Sequence, residues 1–377
     1  MPKISCRHFP SCSGCQLIGE DQAFQKESKT SQLAALIRAF SPDSQIDKQN
    51  LGWISAGSAY LRDRLDFVWQ EGALGLYSVD QKKIIDIDFC HQLSPVLNDW
   101  FQEFRKIKWP LKKGSIRLRV GPQGQKGAWL DFANFDIKSL LEEKTTLQSL
   151  LDTGAVVEIG QKRKILKSEA SGLKMKDPEA HLWFESRFQD QVISLYSHIA
   201  SFTQPSMKAN HLILKQIELW MQKIDSKAAS EFGAGIGNLS LAILGSVDRL
   251  RIFENDTLSL DCFQKTLNQS PELQVHKNKI EFHTGDHQQQ KHYNFTADEI
   301  LLVNPPRSGL KDFLKTLEAS AQKPKNLIYM SCAPDTWAKD GKALENLGYH
   351  LKEAFVADQF PQTKHFEILS HWLLQRK

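Results

Sequence analysis

Glu231-Phe232-Gly233-Ala234-Gly235-Ile236-Gly237-Asn238 is the stretch that decides the fold. It closes an apolar strand at Phe232 and opens a helix over 239–244, so its glycines can take positive φ and bring backbone N–H groups close to a ligand. A second strand follows, Leu250-Arg-Ile-Phe-Glu254, and its final acid stands 17 positions beyond Gly237, the separation from which a carboxylate reaches ribose hydroxyls. Taken alone, the loop fits a methyl donor, a dinucleotide or a plain strand-to-helix turn.

Working outward, strand and helix patterns alternate through 280–283, 300–304, 313–319 and 327–331. Alternation of this kind implies an α/β unit with a mainly parallel, doubly wound sheet. Helical patterns over 189–202 and 208–223 are expected to precede it. The last segments, 351–356 and 366–374, read as a strand pair with no helix between them. The first half has a different grammar: a helical pattern over 22–40, short strands at 65–69, 115–120 and 128–132, and a helix over 137–151. Two domains are expected, an α+β unit over 1–180 and the α/β unit over 181–377.

Composition narrows the class. The chain has 377 residues, 41% hydrophobic and 24% charged, which is ordinary for a globular protein with room for two cores. The longest apolar runs fall far short of the ~20 residues that span a bilayer, and no apolar signal region opens the chain, so a cytoplasmic protein without membrane contact is expected. Forty-eight basic against 44 acidic residues leave a net charge of +4, so any nucleic-acid surface must be a local patch. Arg62, Arg64, Arg117 and Arg119 are its candidates, although alternating arginines on one strand could equally be a solvated face. No repeat or low-complexity tract occurs.

Three further signals carry chemistry. Asn304-Pro-Pro-Arg307 ends an apolar strand with two prolines that forbid helix continuation, placing a polar turn at the strand end where doubly wound sheets bind ligands. Cys332 leaves the strand Leu327–Ser331 just before Pro334 opens a helix, a position whose N-terminal field favours a thiolate nucleophile. Cys262 falls within an amphipathic helix and reads as packing. Finally, Cys6-x5-Cys12-x2-Cys15 with Cys90 offers four thiolates, enough for tetrahedral zinc or a [4Fe–4S] cluster.

The strand pair at the end of the sheet is similar to that of Rossmann-like methyltransferases dependent on S-adenosylmethionine. The whole set resembles the RNA uracil-5-methyltransferases, above all those that act on 23S ribosomal RNA and carry a [4Fe–4S] cluster. The residues bearing this resemblance are the four cysteines, Tyr60-Leu-Arg62-Asp-Arg64, Gly75-Leu-Tyr77, Phe188-Gln189, the glycine loop, Asn304-Pro-Pro-Arg307, Ser331-Cys332 and Asp358 through Glu367. It implies Cys332 as nucleophile and Glu367, 35 residues on, as proton-abstracting base. It implies contacts to S-adenosylmethionine from Gln189, Glu254 and Asn304, with Gly233, Gly235 and Asn238 shaping the pocket and Asp286 near the adenine. Cys6, Cys12, Cys15 and Cys90 would ligate the cluster. The partner would be 23S ribosomal RNA, met by a monomer.

This chemistry needs both groups. Uracil C5 is too weak a nucleophile to attack a sulfonium methyl directly, and thiolate addition at C6 makes it one. A base must then remove the C5 proton. The chain departs from the family at Gly233, where an aromatic is usual, and at Ala333, Gln191 and Gln359. Asn304 in place of Asp resembles a subgroup that methylates a hairpin-loop uridine without a TRAM barrel, and no such barrel is expected here. The alternatives are methylation of transfer RNA, methylation of cytosine C5, which typically uses a Pro-Cys context, and a silent RNA-binding protein.

Overall fold

The computed structural model describes residues 3–109, 112–132, 137–285 and 293–375. Asp286 lies outside them. After the cysteine-bearing segment comes α1 (Gln22–Phe40), capped by Asp21, whose carboxylate accepts from the Phe24 N–H at 2.8 Å. Then follow β1 (Gly52–Ser55), β2 (Arg64–Gln70), β3 (Ala73–Tyr77), β4 (Ile84–Asp86), α2 (Pro95–Arg105), β5 (Lys113–Val120), β6 (Lys126–Asp131), α3 (Ile137–Glu142), α4 (Lys144–Asp152), β7 (Val156–Ile159), β8 (Lys164–Glu169) and β9 (Gly172–Lys176).

Strands β2 to β9 form one sheet in the order β4-β3-β2-β5-β6-β7-β8-β9. Every neighbouring pair is antiparallel except β6 and β7, which are parallel and joined through α3 and α4. Alternate residues such as Phe67, Ile116, Leu118 and Leu130 point into a core covered by Trp100, Phe101 and Phe104 of α2 and by Leu147 and Leu150 of α4. Helices on one side of this sheet make the unit α+β.

The chain continues through β10 (His181–Phe188), β11 (Gln191–Ser197), α5 (Met207–Met221), β12 (Ala228–Phe232), α6 (Ser240–Leu244), β13 (Arg249–Glu254), α7 (Thr257–Gln269), α8 (Pro271–Gln274), β14 (Ile280–Thr284), β15 (Glu299–Val303), α9 (Asp312–Ala319), β16 (Asn326–Ser331), α10 (Pro334–Asn346), β17 (Tyr349–Asp358) and β18 (Glu367–Leu374). The second sheet runs β1-β17-β18-β16-β15-β12-β13-β14. Strands β12 to β16 are parallel, and β12, β15 and β16 are buried along their whole length, as a sheet covered on both faces requires. Strand β18 enters between β16 and β17, antiparallel to both.

Two expectations need correction. The segment 189–202 is not helical: β10 and β11 make an antiparallel hairpin turning at Gln189 and Asp190, with Gln189 at φ +54°. Its inward residues, Ile193, Leu195 and Ser197, follow a period of two, and the helix-like run of apolar residues comes from Val192 on the opposite, exposed face. The division at 180/181 is also crossed by the chain. Strand β1 pairs in parallel with β17 at the edge of the second sheet, and Leu33, Ala34, Ile37 and Phe40 of α1 pack with Trp337 of α10 and Trp372 of β18. The segment 22–55 is therefore built into the second unit.

Candidate active site

Strands β16 and β18 pair antiparallel with Ser331 opposite Ile368, so continuing the register sets Cys332 opposite Glu367. Two residues 35 apart in sequence thus meet at the adjoining ends of β16 and β18. Cys332 reaches solvent, whereas Glu367 is only 4% exposed. Burial holds the Glu367 carboxyl up to about 7, against the pull of a hydrogen bond from Gln359 and the charges of Arg64, Arg307 and Arg62. The Cys332 thiol is pushed above its ordinary value, first by partial desolvation and then by Glu367, while Arg307 draws it back by charge and by a hydrogen bond. Arg307 is the side chain that favours the thiolate.

Gln359 has no exposure and donates through one Nε2 twice, to Glu367 Oε2 at 2.8 Å and to Gln204 Oε1 at 2.9 Å. The Gln204 amide in turn points toward Met330 Sδ at 3.9 Å. Gln204, Gln359 and Arg307 received no role from the sequence. For Gln204 a signal existed, the run Phe202-Thr203-Gln204-Pro205 directly before Ser206, the N-cap of α5. Phe188-Gln189 instead falls on the hairpin turn. There Gln189 lies against Gly245 at the C-terminal end of α6, a helix length from the glycine loop, and it does not join the other site residues.

At the loop itself, Gly233, Gly235 and Gly237 all take positive φ. A Cβ on Gly233 would stand 2.6 Å from the Asn304 carbonyl oxygen, and the Asn304 N–H donates to the Phe232 carbonyl at 3.1 Å. Strand ends β12 and β15 are thus drawn so close that the aromatic usual at this position has no room. Gly235 faces open space and donates its N–H to Glu254 Oε2 at 2.8 Å. Glu254 Oε1 accepts from Asn255 and Asp256 at 2.8 and 2.9 Å, which fixes the carboxylate at the end of β13. Asn238 exchanges paired amide hydrogen bonds with Asn210 of α5 at 2.8 and 2.9 Å, so its side chain braces the loop.

The arginine patch is also corrected. Arg119 is 1% exposed and donates to the carbonyls of His198, Ile199 and Trp183, stapling the segment that leads to Gln204. Arg117 pairs with Asp66 and donates to the Ala200 carbonyl at 3.1 Å. Arg62 lies over the Phe360 ring and Arg64 over the Phe202 ring, at 4.9 and 5.1 Å.

Cys6, Cys12, Cys15 and Cys90 line one cavity of about 100 Å³. Burial pushes the Cys15 and Cys90 thiols up to about 12 and 11, and the neighbouring thiols add to the rise. Gln92 donates to Cys15 Sγ at 3.2 Å, and Gly14 N–H to Cys12 Sγ at 3.4 Å. Among the described residues, no three of His, Cys, Asp and Glu close on one point as a single ion requires. The four thiols share this cavity with His8 and His91, and N–H donors reach two of the thiols.

Residues 167–377 match the sequence family described as tRNA (Uracil-5-)-methyltransferase. An uncharacterized RNA methyltransferase of Bdellovibrio bacteriovorus is 44% identical, over 99% of this chain and 96% of the relative. The 23S rRNA (uracil(1939)-C(5))-methyltransferase RlmD of Marinomonas posidonica is 25% identical, over 99% of this chain and 81% of its own length. Among solved structures, the Pyrococcus abyssi tRNA (uracil-54, C5)-methyltransferase in complex with S-adenosyl-L-homocysteine superposes with a TM-score of 0.69 at 17% identity. It covers 98% of this chain and 86% of that one, a likeness of fold.

Proposed function

Since the chain belongs to the RNA uracil-5-methyltransferase family, we propose that it makes 5-methyluridine in 23S ribosomal RNA, with S-adenosylmethionine as methyl donor. The observation that carries this reading is a solvent-accessible thiol, at the adjoining ends of β16 and β18, beside a buried carboxyl whose pKa is raised to about 7. The Cys332 thiolate adds to uracil C6, and the electron pair of the C5=C6 bond moves into the ring as an enolate. C5 then takes the methyl group, releasing S-adenosylhomocysteine. Glu367 removes the C5 proton, and the C6–S bond breaks to restore the double bond and the thiolate.

The donor's pocket is formed by Gly233, Gly235, Glu254 and Asn304 at the ends of β12, β13 and β15, with Gln204 taking the place expected of Gln189. Binding there at strand ends follows the rule for doubly wound sheets. Cys6, Cys12, Cys15 and Cys90 would hold a [4Fe–4S] cluster. Bound there, it would act as a four-point cross-link, since methyl transfer moves no net electrons.

The 23S assignment draws on the 23S rRNA target of the RlmD relatives. The target must be unstacked to reach Cys332, so an accessible loop is preferred over duplex. Methylation of protein-free 23S RNA, folded transfer RNA and a short duplex, at equal uridine concentration with 5-methyluridine read by mass spectrometry, tests it. The 23S RNA should be the best substrate. Transfer RNA as the better substrate by a wide margin would overturn the assignment and leave the chemistry standing.

A further inference from the structure

A second cavity, of about 330 Å³, opens between the two sheets. Trp129 on β6, Glu158 on β7 and Arg163 line it from the first sheet, and His198, Phe202 and Asp256 line it from the second unit. The Trp129 indole lies against the backbone: a Cβ on Gly160 would stand 2.5 Å from the ring. Phe202 is 62% exposed, a large apolar ring left open to solvent on the side away from Arg64. Each ring already carries a guanidinium, Arg117 at 5.3 Å on Trp129 and Arg64 at 5.1 Å on Phe202.

Polar groups left unsatisfied line the same space. Glu158 is 2% exposed, and while it accepts a hydrogen bond from the Ala200 N–H, its Oε2 has no partner. His198 is 9% exposed, and its Nδ1 has no partner. Buried polar atoms without partners are expensive and mark a place where a ligand supplies the missing bonds. The segment bearing His198 and Phe202 is held by Arg119 and Arg117 through three backbone-carbonyl bonds, to His198, Ile199 and Ala200, so the cavity is preformed.

We propose that this cavity receives a second nucleobase of the RNA, one flanking the target uridine, with its ring against Trp129 and Phe202 and its N–H edge toward Glu158 and His198. The proposal rests on the RNA methylation reading above. Two carboxyl groups, Glu158 and Asp256, against the single guanidinium of Arg163 disfavour a phosphate. A free organic cation is disfavoured because both rings already hold guanidinium groups, whereas a neutral planar base with N–H donors meets both the aromatic and the carboxylate walls. Arg64 links this cavity to the methyl-transfer site, since it lies on Phe202 and also within electrostatic reach of Glu367. Phe202 is two residues from Gln204. A strand that presents its uridine to Cys332 therefore has a neighbouring base within reach of the cavity. Guanine presents the richest donor edge and is the base of choice.

The probe is a hairpin RNA with one target uridine, made abasic at each flanking position in turn. One position should lower kcat/KM about tenfold with wild-type enzyme, the order expected for a lost stacked base. That penalty should vanish in Phe202→Ala. Replacing guanine by inosine at that position should lower wild-type turnover, and Glu158→Gln should no longer tell them apart. Binding of S-adenosylhomocysteine by both variants, measured by calorimetry, reports that the fold is intact. As a second readout, wild-type protein is photo-cross-linked to hairpins carrying 4-thiouridine at each flanking position, with adducts expected in peptides containing Trp129 or Phe202. No position-specific penalty, or a penalty retained in Phe202→Ala, overturns the proposal, as do cross-links confined to other peptides. If wild-type enzyme leaves the uridine unmethylated, the functional reading fails, and the cross-link still decides whether the cavity holds a base.

Discussion

Glu367 keeps its proton to about pH 7 because it is buried, and the Gln359 amide is the first of the influences opposing that rise. The sign of the pH dependence follows. A base must be ionised to accept the C5 proton, so product formation rises with pH through about 7, and the raised thiol of Cys332 pushes the optimum in the same direction. Gln359→Leu removes the hydrogen bond that favours the carboxylate, so its rising limb should lie at higher pH than that of wild type. A pH–rate profile of single-turnover product formation checks this, and an unmoved limb would take Gln359 out of the role. Cys332 was legible in sequence because strand exit and helix start are local signals. The pairing of Gln204 with Gln359 was not, because the bond joining them spans 155 residues and only the folded chain brings them together.

At the scale of elements, the glycine loop, the βα alternation and α1 could be read from periodicity, and the structure places α1 over the same residues that the pattern marks. The β10–β11 hairpin could not. Its exposed face carries Val192, and a run apolar on both faces erases the period of two. The seating of α1 was equally hidden, because it depends on a distant partner. Lys29, 1% exposed, donates to Asp358, 3% exposed, at 2.7 Å, and to the Phe360 carbonyl at 3.1 Å. That pair anchors α1 to the loop leading into β18. Lys29→Met leaves a buried carboxylate without its charged partner and should cost about 3–5 kcal/mol in denaturant unfolding. Adding Asp358→Asn should recover part of the loss, and a single variant as stable as wild type would contradict the account.

Across the whole molecule, the cysteine cavity and the active site share one loop. Gln92 donates both to Cys15 Sγ and to the Pro361 carbonyl, while the Leu17 N–H bonds the Gln362 carbonyl at 2.9 Å. Sequence spacing grouped the thiols but gave no hint that they brace the approach to Glu367. Protein purified without oxygen should be brown with about four irons per chain. Cys15→Ser should lose the iron and melt at lower temperature while still binding S-adenosylhomocysteine. A colourless, active preparation with stoichiometric zinc would refute the cluster. The central claim is that Cys332 bonds to the base and Glu367 releases it. Its most direct measurement is denaturing electrophoresis of Glu367→Gln incubated with labelled 23S RNA and S-adenosylmethionine. A methylated protein–RNA adduct that accumulates with Glu367→Gln, and is absent when Cys332→Ala is added, is the predicted result. Turnover by Cys332→Ala at the wild-type rate, or no adduct from Glu367→Gln, would contradict it.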